Sequence, residues 1–145
     1  MTLSIRNQLP GTVTAVRPGE AMATIRLRLD GGQDLTAAIT REAAEDLALT
    51  PGTPVRALVK STEVSLATSR IGGLSIRNQL PGTVTALTTG AAMACVGITV
   101  DGGGLTAAIT NEAVADLGLT AGSSVVALIK STEVSLATAP DTTTP

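Results

Sequence analysis

The chain has 145 residues, with Lys+Arg 10 against Asp+Glu 12 for a formal charge of -2, one cysteine, and no His, Trp, Tyr or Phe. Without histidine there is no imidazole base, no Ser-His-Asp or Cys-His pair and no ordinary zinc or copper ligand set, so common hydrolytic and metal-dependent catalysis is excluded and the chain reads as a non-enzyme. Without aromatic rings no stacking platform for single-stranded nucleic acid can be built, and a net negative charge offers a polyanion no long-range attraction.

A hydrophobic fraction of 43% with 15% charged residues describes a globular chain. No apolar run approaches the length of a membrane span, and residues 1–6 lack the basic and apolar regions of an export signal, so the expectation is a cytoplasmic chain with no membrane partner. Cys95 has no second cysteine to pair with and is read as a small buried residue.

In chain order, Thr12 to Val16 is β-branched and strand-like, and Ala23 to Leu29 alternates polar and apolar with period 2, which buries one face. Asp30-Gly31-Gly32 turns the chain into a third strand, Leu35 to Ile39. Thr40 then supplies an N-cap hydroxyl before Glu42, Glu45 and Asp46, which suit the start of a short helix better than a metal cluster. Thr50-Pro51-Gly52 ends that helix, Val55, Ala57 and Val59 alternate in a fourth strand, and Val64 to Ala67 form a fifth.

The phrase from Ser4 to Ala15 returns letter for letter from Ser75 to Ala86. With one deletion at Asp34, residues 4–68 align with 75–138, and roughly 44 of 64 aligned pairs are identical. The organisation expected is a domain at 1–69, a short linker at 70–74, a second domain at 75–138 and a flexible tail at 139–145. The order β-β-β-α-β-β in each unit predicts an all-β chain of two tandem OB-fold-like five-stranded Greek-key barrels, each with one short helix between strands 3 and 4. A unit this small without aromatic side chains buries little area, so oligomerisation is the expected remedy.

Only two aligned pairs of cations persist in both copies, Arg6 with Arg77 and Lys60 with Lys130. Arg17, Arg26, Arg28, Arg41 and Arg56 face Thr88, Gly97, Thr99, Asn111 and Val126, and read as solvated surface. Each repeat gathers donors in three places: Ser4, Arg6, Asn7 and Gln8, then Thr40, then Lys60, Ser61 and Thr62, with Ser75, Arg77, Asn78, Gln79, Thr110, Lys130, Ser131 and Thr132 in the second copy. Guanidinium forks, ammonium groups and short adjustable hydroxyl and amide donors together describe a pocket for a small oxyanion. A dianion without a proton fits such a donor set, whereas hydrogen phosphate would bring an O–H with nowhere to donate. Plainer roles exist for each residue. Thr40 and Thr110 are N-cap candidates, Lys60 and Lys130 could pair with Glu63 and Glu133, and the Asn-Gln pairs could satisfy backbone at an interface. Lys-Ser-Thr is not a nucleotide P-loop, because Val59 and Ile129 stand where that motif requires glycine.

Ser-Ile-Arg-Asn-Gln-Leu-Pro-Gly-Thr-Val, Ala-Ala-Ile-Thr and Leu-Val/Ile-Lys-Ser-Thr-Glu-Val, in that order and twice, resemble the molybdate-binding Mop domain of the molbindin family. The resemblance covers 4–68 and 75–138. It implies an OB-like fold, a homo-oligomer in the form of a trimer of tandem chains, and molybdate or tungstate as ligand between subunits, with no catalytic cofactor. Carried over by motif, Ser4 and Arg6 reach the anion from one domain and Thr40, Lys60 and Ser61 from a neighbour, with Ser75, Arg77, Thr110, Lys130 and Ser131 serving the second copy. Asn7, Gln8, Asn78 and Gln79 are weaker candidates for anions near the threefold axis. Related repressors and transporter ATPases join such domains to DNA-binding or nucleotide-binding parts, and the absence of either pattern from these residues favours storage and homeostasis. The alternatives are a ligand-sensing subunit acting through a protein partner and an OB-fold nucleic-acid module.

Overall fold

The computed structural model describes residues 3–101 and 103–138. The tail expected at 139–145 lies outside the described residues. The first repeat forms β1 (Asn7–Pro18), β2 (Met22–Leu29), β3 (Asp34–Thr40), α1 (Arg41–Asp46), β4 (Pro54–Val59) and β5 (Ser65–Ala67). The second forms β6 (Asn78–Thr89), β7 (Met93–Val100), β8 (Gly103–Thr110), α2 (Asn111–Leu117), β9 (Ser124–Ile129) and β10 (Ser135–Thr138). Every predicted element is present, and the first strand extends well beyond its β-branched centre. Among the described residues, no helix is long and apolar enough to cross a membrane.

The long strand is shared. Residues 7–12 of β1 pair with β4, residues 11–18 pair with β2, and a register shift between Val13 and Ala15 bends the strand between its two partners. Gly11 lies where the two pairings overlap, and a Cβ there would meet the Arg28 carbonyl oxygen at 2.7 Å. Gly82 occupies the same place in β6, where a Cβ would lie 2.7 Å from the Thr99 oxygen. Only glycine permits the close crossing.

The sheets do not follow the repeats. One sheet has the order β10-β4-β1-β2-β3 and the other β5-β9-β6-β7-β8. The last strand of each repeat therefore adds to the other repeat's sheet: Leu136 pairs with Ala57, and Leu66 with Ala127. Both sheets curl until their end strands, β10 and β3 or β5 and β8, come close. Val64 and Val134, each 2% exposed, anchor the two crossings in one apolar cluster that runs through both barrels. This joint core answers the shortage of aromatic volume, because each small sheet completes its burial with side chains from the other.

Cys95 corrects one sequence expectation. It is exposed, because along β7 the inward phase belongs to Ala94, Val96 and Ile98, and Cys95 takes the outward phase as Thr24 does in β2. Thr40 and Thr110 cap their helices, each hydroxyl oxygen accepting from the N–H of Ala43 or Ala113 at 3.1 Å. The second helix closes on Gly118 at φ 62, while Ala48, its aligned counterpart, adopts φ 52 without the freedom of glycine.

Candidate functional site

The Lys-Ser-Thr-Glu phrase forms the crossover between the barrels. After β4, Lys60 remains extended and Ser61–Glu63 closes a 3-10 turn, with the Glu63 N–H donating to the Lys60 carbonyl at 2.9 Å. Because β5 leaves for the other sheet, this turn packs on β8, and the matching turn Ser131–Glu133 packs on β3. Lys60 is exposed and Ser61 half-buried, as are Lys130 and Ser131. Lys60 borders a groove of about 150 Å³ that Glu63, Thr132 and Glu133 also line, so the two turns face a common space.

Buried beneath these turns are the asparagines. The side-chain amide of Asn7 donates to the Thr106 carbonyl at 2.8 Å and accepts from the Thr106 N–H at 2.9 Å, with the Ser61 hydroxyl at 3.5 Å. Asn78 treats Thr36 identically at 2.8 and 2.9 Å and approaches Ser131 at 3.5 Å. Thr36 and Thr106 lie on edge strands, so each amide stands in for the missing neighbouring peptide unit. The glutamines are also committed. Gln8 donates to the Ile5 carbonyl and accepts from Arg56 at 3.2 Å, while Gln79 donates to the Ile71 carbonyl and accepts from the Ile71 N–H, both at 2.9 Å.

The remaining sequence-derived donors sit on separate surfaces. Ser4 and Arg6 are exposed ahead of β1, as are Ser75 and Arg77 ahead of β6. Arg77 lines a groove of about 440 Å³ with Arg26 and Arg70. Thr40 lines another beside Glu20, Glu42 and Glu45. Within one chain, none of these three grooves contains the whole donor set.

Among the described residues the ion pairs are Arg28–Asp34 at 2.8 Å and Arg41–Glu45 at 2.9 Å, so neither lysine is paired with the acid in its own turn. Both pairs are exposed and both vanish in the second repeat, where Arg28 and Arg41 become Thr99 and Asn111, Asp34 is deleted and Glu45 becomes Ala115. Pairs of this kind contribute little, and losing both partners together leaves no unpaired charge. Among the described residues no group of three or more Cys, Asp or Glu is placed to hold a metal ion.

Sequence reasoning overlooked Thr36 and Thr106, which take part through backbone groups that no side-chain pattern advertises. Arg26, read as solvated surface because Gly97 stands opposite in the repeat, is exposed, and it also lines the groove beside Arg77.

The TOBE domain family matches twice, over residues 3–66 and 74–136. The chain is 36% identical over 143 residues to a molybdenum transport protein ModE of Herbaspirillum seropedicae, covering 97% of this chain and 53% of that protein. It is 40% identical over 136 residues to the molybdenum-pterin-binding protein MopB of Rhodobacter capsulatus, covering 92% of this chain and 50% of that one. It thus spans about half the length of these relatives. A crystal structure of the cytoplasmic molybdate-binding protein ModG with molybdate bound superposes with a TM-score of 0.93 at 42% identity, covering 96% of this chain and 100% of that chain. The sequence repeat, the paired barrels and these matches agree: the chain belongs to the TOBE domain family and carries two copies of that domain in tandem.

Proposed function

We propose that this chain binds molybdate or tungstate without chemical turnover, at sites shared between neighbouring copies in a homo-oligomer, and serves as a cytoplasmic store that buffers the free oxyanion. The observation that carries the reading is the end-to-end likeness to molybdate-loaded ModG at 42% identity. The arrangement of donors adds a physical reason. Arg6 and Arg77, Lys60 and Lys130, and Ser61 and Ser131 are presented at the surface in separate patches, and a second chain packed against the first would bring complementary patches together. The molbindin resemblance implies a trimer of tandem chains, with Ser4, Arg6, Thr40, Lys60 and Ser61 around one class of anion and Ser75, Arg77, Thr110, Lys130 and Ser131 around the other.

Calorimetric titration of purified, anion-free protein with molybdate, tungstate, sulfate and phosphate tests the reading, combined with elemental analysis after dialysis. Saturable binding of molybdate or tungstate in preference to phosphate is the expected result. Absence of saturable binding for both metals' oxyanions rejects it.

A sensing role is the second reading, favoured by the 36% identity to the ModE protein over 97% of this chain. A sensor changes its affinity for a protein partner when the anion binds, so copurification with and without molybdate separates the two roles.

A further inference from the structure

We propose that Asn7 and Asn78 are positioning residues for the anion sites: each buried amide donates to the hydroxyl oxygen of a serine in the turn above it, Ser61 or Ser131, and so holds that hydroxyl with its hydrogen directed out of the chain toward a bound oxyanion. The inference rests on reading the chain as an oxyanion binder. It moves the asparagines from candidate ligands to the support behind a ligand, and it makes each repeat's serine depend on the other repeat's edge strand.

The Asn7 side chain has two N–H donors and one carbonyl oxygen. The Thr106 backbone engages one of each: its carbonyl accepts from the amide at 2.8 Å, and its N–H donates to the amide oxygen at 2.9 Å. This pairing fixes the orientation of the amide, because a flipped amide would set donor against donor and acceptor against acceptor. One N–H is then left, and the Ser61 hydroxyl oxygen lies 3.5 Å from its nitrogen. Asn78 repeats every part, with Thr36 at 2.8 and 2.9 Å and Ser131 at 3.5 Å. Both asparagines are buried, so the remaining N–H cannot turn to solvent. Without the serine it would be an unsatisfied buried donor.

A serine hydroxyl donates one hydrogen, accepts through two lone pairs, and rotates to suit its partners. Toward Asn7 only the accepting role is open, since the group facing the serine is an N–H. The hydroxyl hydrogen is therefore excluded from the inward rotamer, and no other side-chain partner of the Ser61 or Ser131 hydroxyl occurs among the described residues. Each serine is half-buried beside an exposed lysine, Lys60 or Lys130. An oxyanion arriving there meets a hydroxyl already set as a donor, so less freedom is lost on binding. Donation to the anion in turn makes the serine oxygen a stronger acceptor, and the two hydrogen bonds reinforce each other. The source of this order lies in the opposite repeat: Thr106 belongs to β8 and Thr36 to β3, while the serines they support follow β4 and β9.

Calorimetric titration of the full chain with molybdate at fixed salt tests the role, using Asn7→Ala, Ser61→Ala and the double variant, with Asn78→Ala, Ser131→Ala and their double as a second, independent cycle. Unfolding midpoints and light scattering show whether each variant is folded and assembled at the titration temperature. Asn7→Ala should weaken molybdate binding by about threefold to tenfold at the sites Ser61 serves, and the double variant should lose no more than about twofold beyond Ser61→Ala alone. Combined with Lys60→Ala, by contrast, Asn7→Ala should lose its full factor again, which a role confined to supporting the turn does not predict. If Asn7→Ala titrates like the parent, if its loss multiplies with that of Ser61→Ala, or if Lys60 couples to it as strongly as Ser61 does, the inference is overturned, while molybdate binding by the parent leaves the proposed function standing. Where one asparagine variant does not fold, the cycle in the other repeat decides. A parent that takes up no molybdate overturns both.

Discussion

The Asn7 side chain and the Thr106 backbone, separated by 99 residues in sequence, form a two-bond match at 2.8 and 2.9 Å that repeats between Asn78 and Thr36. Asn7 and Asn78 are 3% and 4% exposed, the buried polar side chains among the described residues. Each locks one repeat to the edge strand of the other. The Ser61 and Ser131 turns lie directly above, so the lock also sets the height of the candidate donors.

Removing that lock should destabilise the whole chain rather than one repeat. Asn7→Ala or Asn78→Ala leaves a backbone N–H and a carbonyl without their partners, and each variant should lose about 2 kcal/mol of unfolding free energy. Denaturant titration reads the loss. A change below about 0.5 kcal/mol in both variants means that water replaces the amide, and the edge strands then need no side-chain cover.

Separating the repeats tests the strand exchange. A fragment of residues 1–69 retains β5 but lacks β9, its partner, and retains β4 but lacks β10. Two such fragments can exchange their last strands with each other, so light scattering should find a dimer at micromolar concentration. A folded monomer would mean that β5 can turn back onto β4 of its own repeat and that the exchange is not required for stability.

The candidate anion ligands make graded predictions. Arg6→Ala, Lys60→Ala, Arg77→Ala and Lys130→Ala each remove a charge-assisted donor and should weaken molybdate binding by about tenfold to a hundredfold at the sites they serve. Arg17→Ala is the comparator, since Thr88 occupies that position in the second repeat and Arg17 lines none of the grooves that hold Lys60, Arg77 or Thr40. Arg26 and Arg28 are unsuitable as comparators: one lines the groove beside Arg77 and the other neutralises Asp34 in the same lining. Calorimetry at fixed salt measures the series, with light scattering run beside it to detect loss of assembly. Equal losses across all five variants would mean that diffuse surface charge holds the anion.

Ala48 carries a backbone strain that its counterpart avoids. Its φ of 52 lies in the left-handed region, and Gly118 meets the same demand at φ 62. Ala48→Gly should stabilise the chain by about 0.5 to 1 kcal/mol, a rise of a few degrees in the unfolding midpoint, and Gly118→Ala should lower it comparably. No cavity opens or closes at either exposed site, so the two changes isolate the backbone effect. Midpoints that move in the same direction for both would refute it.

The sequence by itself determined the local structure, because the forces involved are local. Period-2 alternation in Ala23 to Leu29 placed β2, the Thr40 hydroxyl ahead of Glu42 placed the helix start, and the duplicated phrases established two like units with three donor clusters. The motifs also carried the family, since three separated phrases in order, twice over, are too specific for coincidence. Which sheet receives the fifth strand was decided only in three dimensions. Ala57-Leu58 and Ala127-Leu128 offer β5 and β10 the same residues to pair with, so no residue preference distinguishes a strand that stays from one that crosses. The exchange depends on the path of the Ser61 and Ser131 turns and on the shared core that receives Val64 and Val134. For the same reason the sequence could offer Asn7 as a donor to an anion or as cover for backbone at an interface, but could not name the backbone it covers. That partner, Thr106, lies on the opposite repeat and comes within reach once the two barrels share strands.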